Sequence, residues 1–109
     1  MLKMSILYTS SLSENVPVCL NIDPESKCVT VNGKRCDLTN QEYSLLYTLA
    51  CHPDCTVSRD QLLLDAWGYL SPGVTRTVDV HIQRLRRKLG CGCIETVYRR
   101  GYRLLAQPA

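Results

Sequence analysis

No stretch of this 109-residue sequence approaches the roughly 20 consecutive apolar residues that cross a bilayer. The opening MLKMSILYTSSL is too short and too polar for a signal peptide. Both absences lead to the expectation of a cytoplasmic protein. Cysteine is abundant but lacks order: the seven residues (19, 28, 36, 51, 55, 91 and 93) are odd in number and contain no Cys-x-x-Cys pair. Only Cys51-His52-Pro53-Asp54-Cys55 and Cys91-Gly92-Cys93 cluster locally, and neither has a second ligand pair at zinc-finger spacing. They read as reduced structural thiols, with no metal or cofactor expected. A metal or redox sensor built around Cys51, His52 and Cys55 stands as an alternative. No nucleophile–base pair and no carboxylate pair stands out by motif, so an enzyme is the least supported class. Internal repeats and a second domain are also missing. The length suits one domain with its own core.

What is present is a charge asymmetry. The net charge of +3 conceals residues 1–75, with five basic and eight acidic side chains, and residues 76–109, with eight basic and two acidic ones. A domain that gathers its cations in one third of the chain presents a side suited to a polyanion. A solvated basic face without a partner is the plainer reading of the same numbers.

Residues 1–15 are Ser-rich and aperiodic, and read as a linker or a loosely attached first strand; the folded domain then covers residues 16–109. Val18, Leu20 and Ile22 alternate before the turn Asp23-Pro24-Glu25-Ser26, and Val29 and Val31 alternate before Asn32-Gly33, a strong hairpin signal. Lys34 to Leu38 makes a third strand, which gives an N-terminal antiparallel sheet. Thr39-Asn40-Gln41-Glu42 is a capping box that opens a first helix, whose apolar stripe includes Tyr43, Leu46, Tyr47 and Ala50. His52-Pro53 ends that helix, and His52 suits the negative end of its dipole. Ser58-Arg59-Asp60-Gln61 is a second capping box; Leu62, Leu63, Ala66 and Trp67 follow as a buried face, and Gly68 closes the helix. The segment from Gly68 to Val74 contains Pro72-Gly73 and is not helical throughout.

A third helix is expected from about Thr75 to Leu89, with Gly90 as its C-terminal cap. At about 100° per residue, Val78, Ile82, Leu85 and Leu89 share one narrow arc. The opposite arc carries Arg76, Val80, Gln83 and Arg87, with Arg84 at its edge. Thr77, His81 and Lys88 lie on one flank; Asp79 and Arg86 lie on the other. The tail reads as a hairpin, Ile94 to Val97 and Gly101 to Leu105, joined by Tyr98-Arg99-Arg100.

Two short capped helices and a third with one aliphatic and one cationic face suggest helix-turn-helix geometry. The major groove of B-DNA, about 12 Å wide, admits such a helix, and Arg pairs bidentately with guanine there. Val80 suits a thymine methyl group. The flanking cations suit phosphates. Arg99 and Arg100 at a hairpin tip suit an adjacent minor groove. Each piece alone is weak, and their conjunction in this order carries the reading.

Leu38-Thr39-x-x-Glu42-Tyr43-x-Leu45-Leu46, Ser58-Arg59-x-Gln61-Leu62-Leu63, Ala66-Trp67-Gly68 and the run from Arg76 to Leu89 resemble the effector domains of OmpR/PhoB-type response regulators, as do Thr96-Val97 and Gly101-Tyr102-Arg103. The resemblance covers residues 18–105. It implies an α+β winged helix-turn-helix fold: N-terminal antiparallel sheet, three-helix core and C-terminal hairpin wing. It implies a bacterial transcriptional regulator that binds double-stranded DNA as a homodimer on tandem half-sites. Arg76, Thr77, Val80, His81, Arg84 and Arg86 stand at positions that touch bases or phosphates in the family; Gln83, Arg87, Lys88, Thr96, Tyr98, Arg99 and Arg100 complete the expected interface. Trp67 is core first, with a phosphate contact as a second role.

The loop Gly68, Tyr69, Leu70, Ser71, Pro72, Gly73, Val74, Thr75 corresponds to the loop that contacts RNA polymerase. Its eight residues exceed the 3–4 of a simple turn, although a mere connector also accounts for it. A receiver domain normally precedes this module, so the chain is expected to be an effector fragment with residues 1–15 in the interdomain linker.

The sequence departs from the family in its wing: Tyr98 replaces the usual minor-groove Arg, and Arg99 replaces a Gly that eases the turn. Gln83 stands where Arg is common and trades a charge for adenine readout. The acidic residues often found near the end of the polymerase loop are absent. A protein-interaction winged helix, its basic face docked on an acidic partner, is the remaining alternative.

Overall fold

A computed structural model of the chain describes residues 4–9, 17–68, 75–90, 92–105 and 107–108. The elements run β1 (Met4–Thr9), β2 (Pro17–Asp23), β3 (Cys28–Val31), β4 (Lys34–Cys36), α1 (Asn40–Cys51), β5 (Thr56–Val57), α2 (Arg59–Trp67), α3 (Arg76–Leu89), β6 (Ile94–Val97), β7 (Gly101–Leu104) and β8 (Gln107–Pro108). Two sheets form, one in the order β4-β3-β2-β1-β8 and one in the order β5-β7-β6. The α+β fold expected from the sequence is present, with its N-terminal sheet, three helices and C-terminal hairpin. Among the described residues no helix is long and apolar enough to cross a membrane.

The first sheet is antiparallel throughout. Asn32 and Gly33 take φ of 53° and 82° at the β3–β4 turn, as a two-residue hairpin loop requires. Asn32 also fastens that turn to β2: its N–H donates to the Cys19 carbonyl, and its Oδ1 accepts from the Cys19 N–H, each at 2.8 Å. Within residues 1–15, Met4–Thr9 forms β1, which pairs with β2 from Met4↔Ile22 to Thr9↔Pro17 and with β8 on its other edge. Residues 10–16 lie outside the described part. The strand expected to reach Leu38 stops at Cys36, because Leu38 packs partly buried against the core. The two-residue strands β5 and β8 are too short to carry a periodicity.

The helices follow their caps. Thr39 Oγ1 accepts from the Glu42 N–H, and Glu42 Oε1 accepts from the Thr39 N–H at 2.9 Å, so the first capping box closes in both directions. The second closes in one only. Ser58 Oγ accepts from the Gln61 N–H, but the Gln61 amide turns forward and donates to Asp65 Oδ1 at 2.9 Å. One buried cluster joins Leu20, Ile22 and Val29 of the first sheet to Leu45, Leu46 and Leu49 of α1, Leu62 and Leu63 of α2, and Tyr102 and Leu104 of β7. From α3 it takes Val78, Ile82, Leu85 and Leu89, the four aliphatic residues of the arc read from the sequence. Each such side chain contributes about 2 kcal/mol by leaving water.

The cluster also encloses a charge. Glu42 is 1% exposed and accepts from Lys88 Nζ at 2.7 Å. Burial works against its ionisation, but Lys88 and Thr39 outweigh it and hold the carboxyl below its ordinary pKa. The pair ties the start of α1 to the end of α3, where the Lys88 carbonyl also accepts from the Cys36 thiol at 3.3 Å. Lys88→Met strands the carboxylate and is expected to cost about 2 kcal/mol at neutral pH. Because the folded pKa of Glu42 is depressed, the stabilisation is complete above its unfolded pKa and disappears as pH falls through the folded value. Urea unfolding of parent and variant should therefore converge in acid; a gap that stays constant across that range would assign the loss to something other than the charge pair.

Candidate nucleic-acid interface

The α3 helix is amphipathic between aliphatic and cationic residues, and its inner arc fixes what its outer arc presents. With Val78, Ile82, Leu85 and Leu89 buried, Arg76, Val80, Gln83, Arg84 and Arg87 are exposed. Val80 is 44% accessible, high for an aliphatic residue in a helix that is otherwise well packed. Arg76, Arg84 and Arg87 make no hydrogen bond or ion pair among the described residues, so their donors face solvent. Thr75, the N-cap, takes helical φ and ψ, and its hydroxyl makes no cap hydrogen bond.

The remaining sequence-predicted residues of α3 have partners inside the protein. His81 donates from Nδ1 to the Thr77 carbonyl at 2.9 Å, and its ring meets the edge of Trp67 at 5.0 Å. Trp67 is itself half-buried against the core. Arg86 donates from Nε to the Ile94 carbonyl at 3.1 Å and from Nη2 to Thr96 Oγ1 at 2.6 Å, with its guanidinium 5.4 Å from the Tyr102 ring centre. Thr96 is therefore already engaged, and Lys88 reaches Glu42. The sequence sets Thr77, His81 and Lys88 on one flank of α3 and Arg86 on the other, and counts them with Thr96 in the expected DNA interface. The geometry divides them into groups that face outward and groups that fasten α3 to α1, α2 and the wing.

Asp79 is the main fastening that the sequence did not single out. One of its carboxylate oxygens accepts from Arg59 Nε at 2.9 Å and from the Tyr102 hydroxyl at 2.6 Å, which ties α3 to α2 and to β7. Burial, and then the Asp79 contact, push the Tyr102 hydroxyl above its ordinary pKa, so it remains a donor. Only contact between elements remote in sequence reveals this node. A lone Asp in a basic helix carries no such signal.

The wing is β6 and β7 with the turn 98–100, closed by the Arg100 N–H donating to the Val97 carbonyl at 2.9 Å. Tyr98 is 79% exposed and its ring lies 5.2 Å from the Arg99 guanidinium. Arg99 takes φ of 61°, a left-handed conformation that costs a residue with a Cβ about 1–2 kcal/mol. Arg99 and Arg100 are exposed and make no ion pair among the described residues. Of the expected polymerase loop, Gly68 caps α2 with φ of 80° and Thr75 caps α3; residues 69–74 lie outside the described residues. Cys51, His52 and Cys55 are all exposed at the end of α1, and among the described residues no three His, Cys, Asp or Glu side chains converge as a metal site.

Three helices in this order, the third exposing guanidinium groups that have no partner among the described residues and followed by a cationic hairpin, define a winged helix-turn-helix domain of the DNA-binding type. Comparison with known proteins specifies it further. Residues 33–104 match the family described as "Transcriptional regulatory protein, C terminal", and the chain belongs to this family of OmpR/PhoB-type effector domains. It is 47% identical over 70 residues to the transcriptional regulatory protein ResD of Bacillus subtilis, covering 64% of this chain and 29% of that one. To the transcriptional regulatory protein CseB of Streptomyces avermitilis it is 45% identical over 87 residues, covering 80% and 37%. The chain thus spans about a third of the length of these curated relatives. The crystal structure of the Klebsiella pneumoniae RstA DNA-binding domain in complex with RstA box superposes with a TM-score of 0.73 at 31% identity, covering 92% of this chain and 96% of that one.

Gly101 sets the wing against the body of the domain. A Cβ built there lies 2.0 Å from the Val57 carbonyl oxygen and 2.9 Å from Ser58 Cα, both backbone atoms. Gly101→Ala is expected to cost more than about 3 kcal/mol, since no side chain is free to swing aside. Thermal unfolding checks it: a midpoint within a degree or two of the parent would mean that the wing is not pinned here.

Proposed function

We propose that this chain is a sequence-specific, double-stranded-DNA-binding domain of a bacterial transcriptional regulator, with α3 in the major groove. The observation that carries the reading is the exposure of Arg76, Val80, Gln83, Arg84 and Arg87 as one arc of α3, opposite the arc that four aliphatic residues bury. Arg76, Arg84 and Arg87 supply guanidinium groups for guanine edges or phosphates, Gln83 supplies an amide for adenine, and Val80 supplies an apolar contact for a thymine methyl group. Thr77, His81, Arg86, Lys88 and Thr96 act as positioning residues that hold α3 and the wing in register. Tyr98, Arg99 and Arg100 bring the wing to the neighbouring strand of the duplex. RstA, a relative of this fold, is described in complex with its box, and that supports the same docking here.

Family membership supports three wider proposals. Two copies bind tandem half-sites about one helical turn apart. The loop 68–75 contacts RNA polymerase. The domain works downstream of a receiver domain, in the cytoplasm and without catalytic activity of its own.

Arg84→Ala tests the base-reading role of α3. It is expected to weaken binding to a duplex selected from a random pool by about 1–3 kcal/mol and to relax discrimination at one base pair. Binding is measured by fluorescence anisotropy on the selected duplex and on single-base variants. Equal weakening on selected and unselected duplexes would assign Arg84 to phosphate.

A further inference from the structure

The wing turn does not stand clear of the domain. β7 pairs with β5 at Thr56↔Arg103 and Val57↔Tyr102, and Gly101 lies in close contact with Val57 and Ser58. The turn is thereby drawn against the start of α2 and the cap of α3, where it closes a cleft of about 310 Å³ lined by Ser58, Arg59, Asp60, Thr75, Arg99 and Arg100. At about 30 Å³ per water molecule, that is room for a phosphodiester with bridging waters.

The lining favours an anion. Arg99 and Arg100 line the cleft from the wing without an ion pair among the described residues, the Arg99 guanidinium resting 5.2 Å from the Tyr98 ring centre. Thr75 adds a hydroxyl that does not cap its own helix. Arg59 lies at the rim, its Nε committed to Asp79. The first turn of α2 adds the partial positive charge of its N-terminal N–H groups, of which Ser58 caps that of Gln61. Arg99 is held in the left-handed region, where glycine is the usual occupant, and this strain sits at the residue that lines the cleft. Asp60 is the one opposing charge. A minor-groove reader must project beyond its neighbours, whereas Arg99 and Arg100 share a recess with α2 and α3.

We propose that this cleft seats one backbone phosphate of the bound duplex, so that Arg99 and Arg100 act on the phosphodiester and not on minor-groove base edges. The inference rests on the DNA-binding reading above. It gives the wing a role in affinity and register, which phosphate contacts supply without reading sequence.

The test uses the full chain and a selected duplex in which single phosphates are replaced, one position at a time, by neutral methylphosphonates. At one position the parent protein should lose roughly tenfold in affinity, the size of one charge-assisted hydrogen bond. Arg100→Ala and Arg99→Gly should each lose a similar factor on the unmodified duplex and lose little more on that modified one, because protein and DNA halves of the same contact do not add. Glycine at 99 keeps the turn conformation while removing the guanidinium. Each variant should also lower the salt slope by about one, and Asp60→Asn should tighten binding. Additive losses at every phosphate, or losses that couple instead to inosine substitutions exposed in the minor groove, would overturn the phosphate seat while leaving DNA binding intact. Failure of the parent chain to prefer any selected duplex would overturn the DNA-binding reading, and the seat with it.

Discussion

Asp79 fixes α2, α3 and the wing to one another through a single carboxylate that accepts from Arg59 and Tyr102. Among the described residues no other side chain of α3 hydrogen-bonds to two further elements at once. The helix carries six cationic or imidazole side chains within fourteen residues, and without Asp79 the orientation of its first half would rest on the aliphatic stripe, since Arg86 and Lys88 fasten only its last turn. Burial of that stripe is strong but not directional, because hydrophobic contact constrains area far more than angle. Hydrogen bonds with defined geometry add the angle. Once Asp79 sets the rotation of α3, the outward direction of Arg76, Arg84 and Arg87 follows from helix periodicity.

The cations of α3 divide their labour along the same line. Arg86 spends its donors on Ile94 and Thr96, and Lys88 spends its charge on the buried Glu42. Both belong to the last turn of α3, where positive charge also suits the negative end of the helix dipole. A buried carboxylate is an expensive way to hold two helices together, and pairing with Lys88 is what makes Glu42 tolerable at 1% exposure. The same glutamate closes the α1 capping box. One side chain therefore serves both the start of α1 and the end of α3, while Arg76, Arg84 and Arg87, without a partner among the described residues, are spread from the first turn of α3 to its last.

Most of the architecture was legible in the sequence because the signals were local. Thr39 with Glu42, Ser58 before α2, Asn32-Gly33 and Gly90 each act within a few residues, and each stands where its local chemistry placed it. The inner arc of α3 was legible for the same reason: Val78, Ile82, Leu85 and Leu89 recur at helical spacing. What the sequence concealed lies at long range. Whether Lys88 faces outward or reaches Glu42 depends on a residue 46 positions away, and Asp79 meets Tyr102 across 23. Sequence alone also gave no sign of β5, although its two residues bring the wing against α2.

The wing shows how a departure from a family pattern acquires physical meaning. Glycine at position 99 would take the left-handed conformation without cost and leave the turn slim, which suits insertion between two DNA strands. Arginine there incurs strain and adds bulk, and Tyr98 beside it widens the tip further. A broad turn with two cations is poorly shaped for a narrow groove about 6 Å wide. It is well shaped to lie along the rim of one, where phosphates present charge without demanding a fit. The same substitutions that remove the usual minor-groove arginine therefore place two guanidinium groups where Gly101 and β5 hold the turn against α2. Under the proposed phosphate seat, loss of groove insertion and gain of a backbone contact are two consequences of one change in the turn.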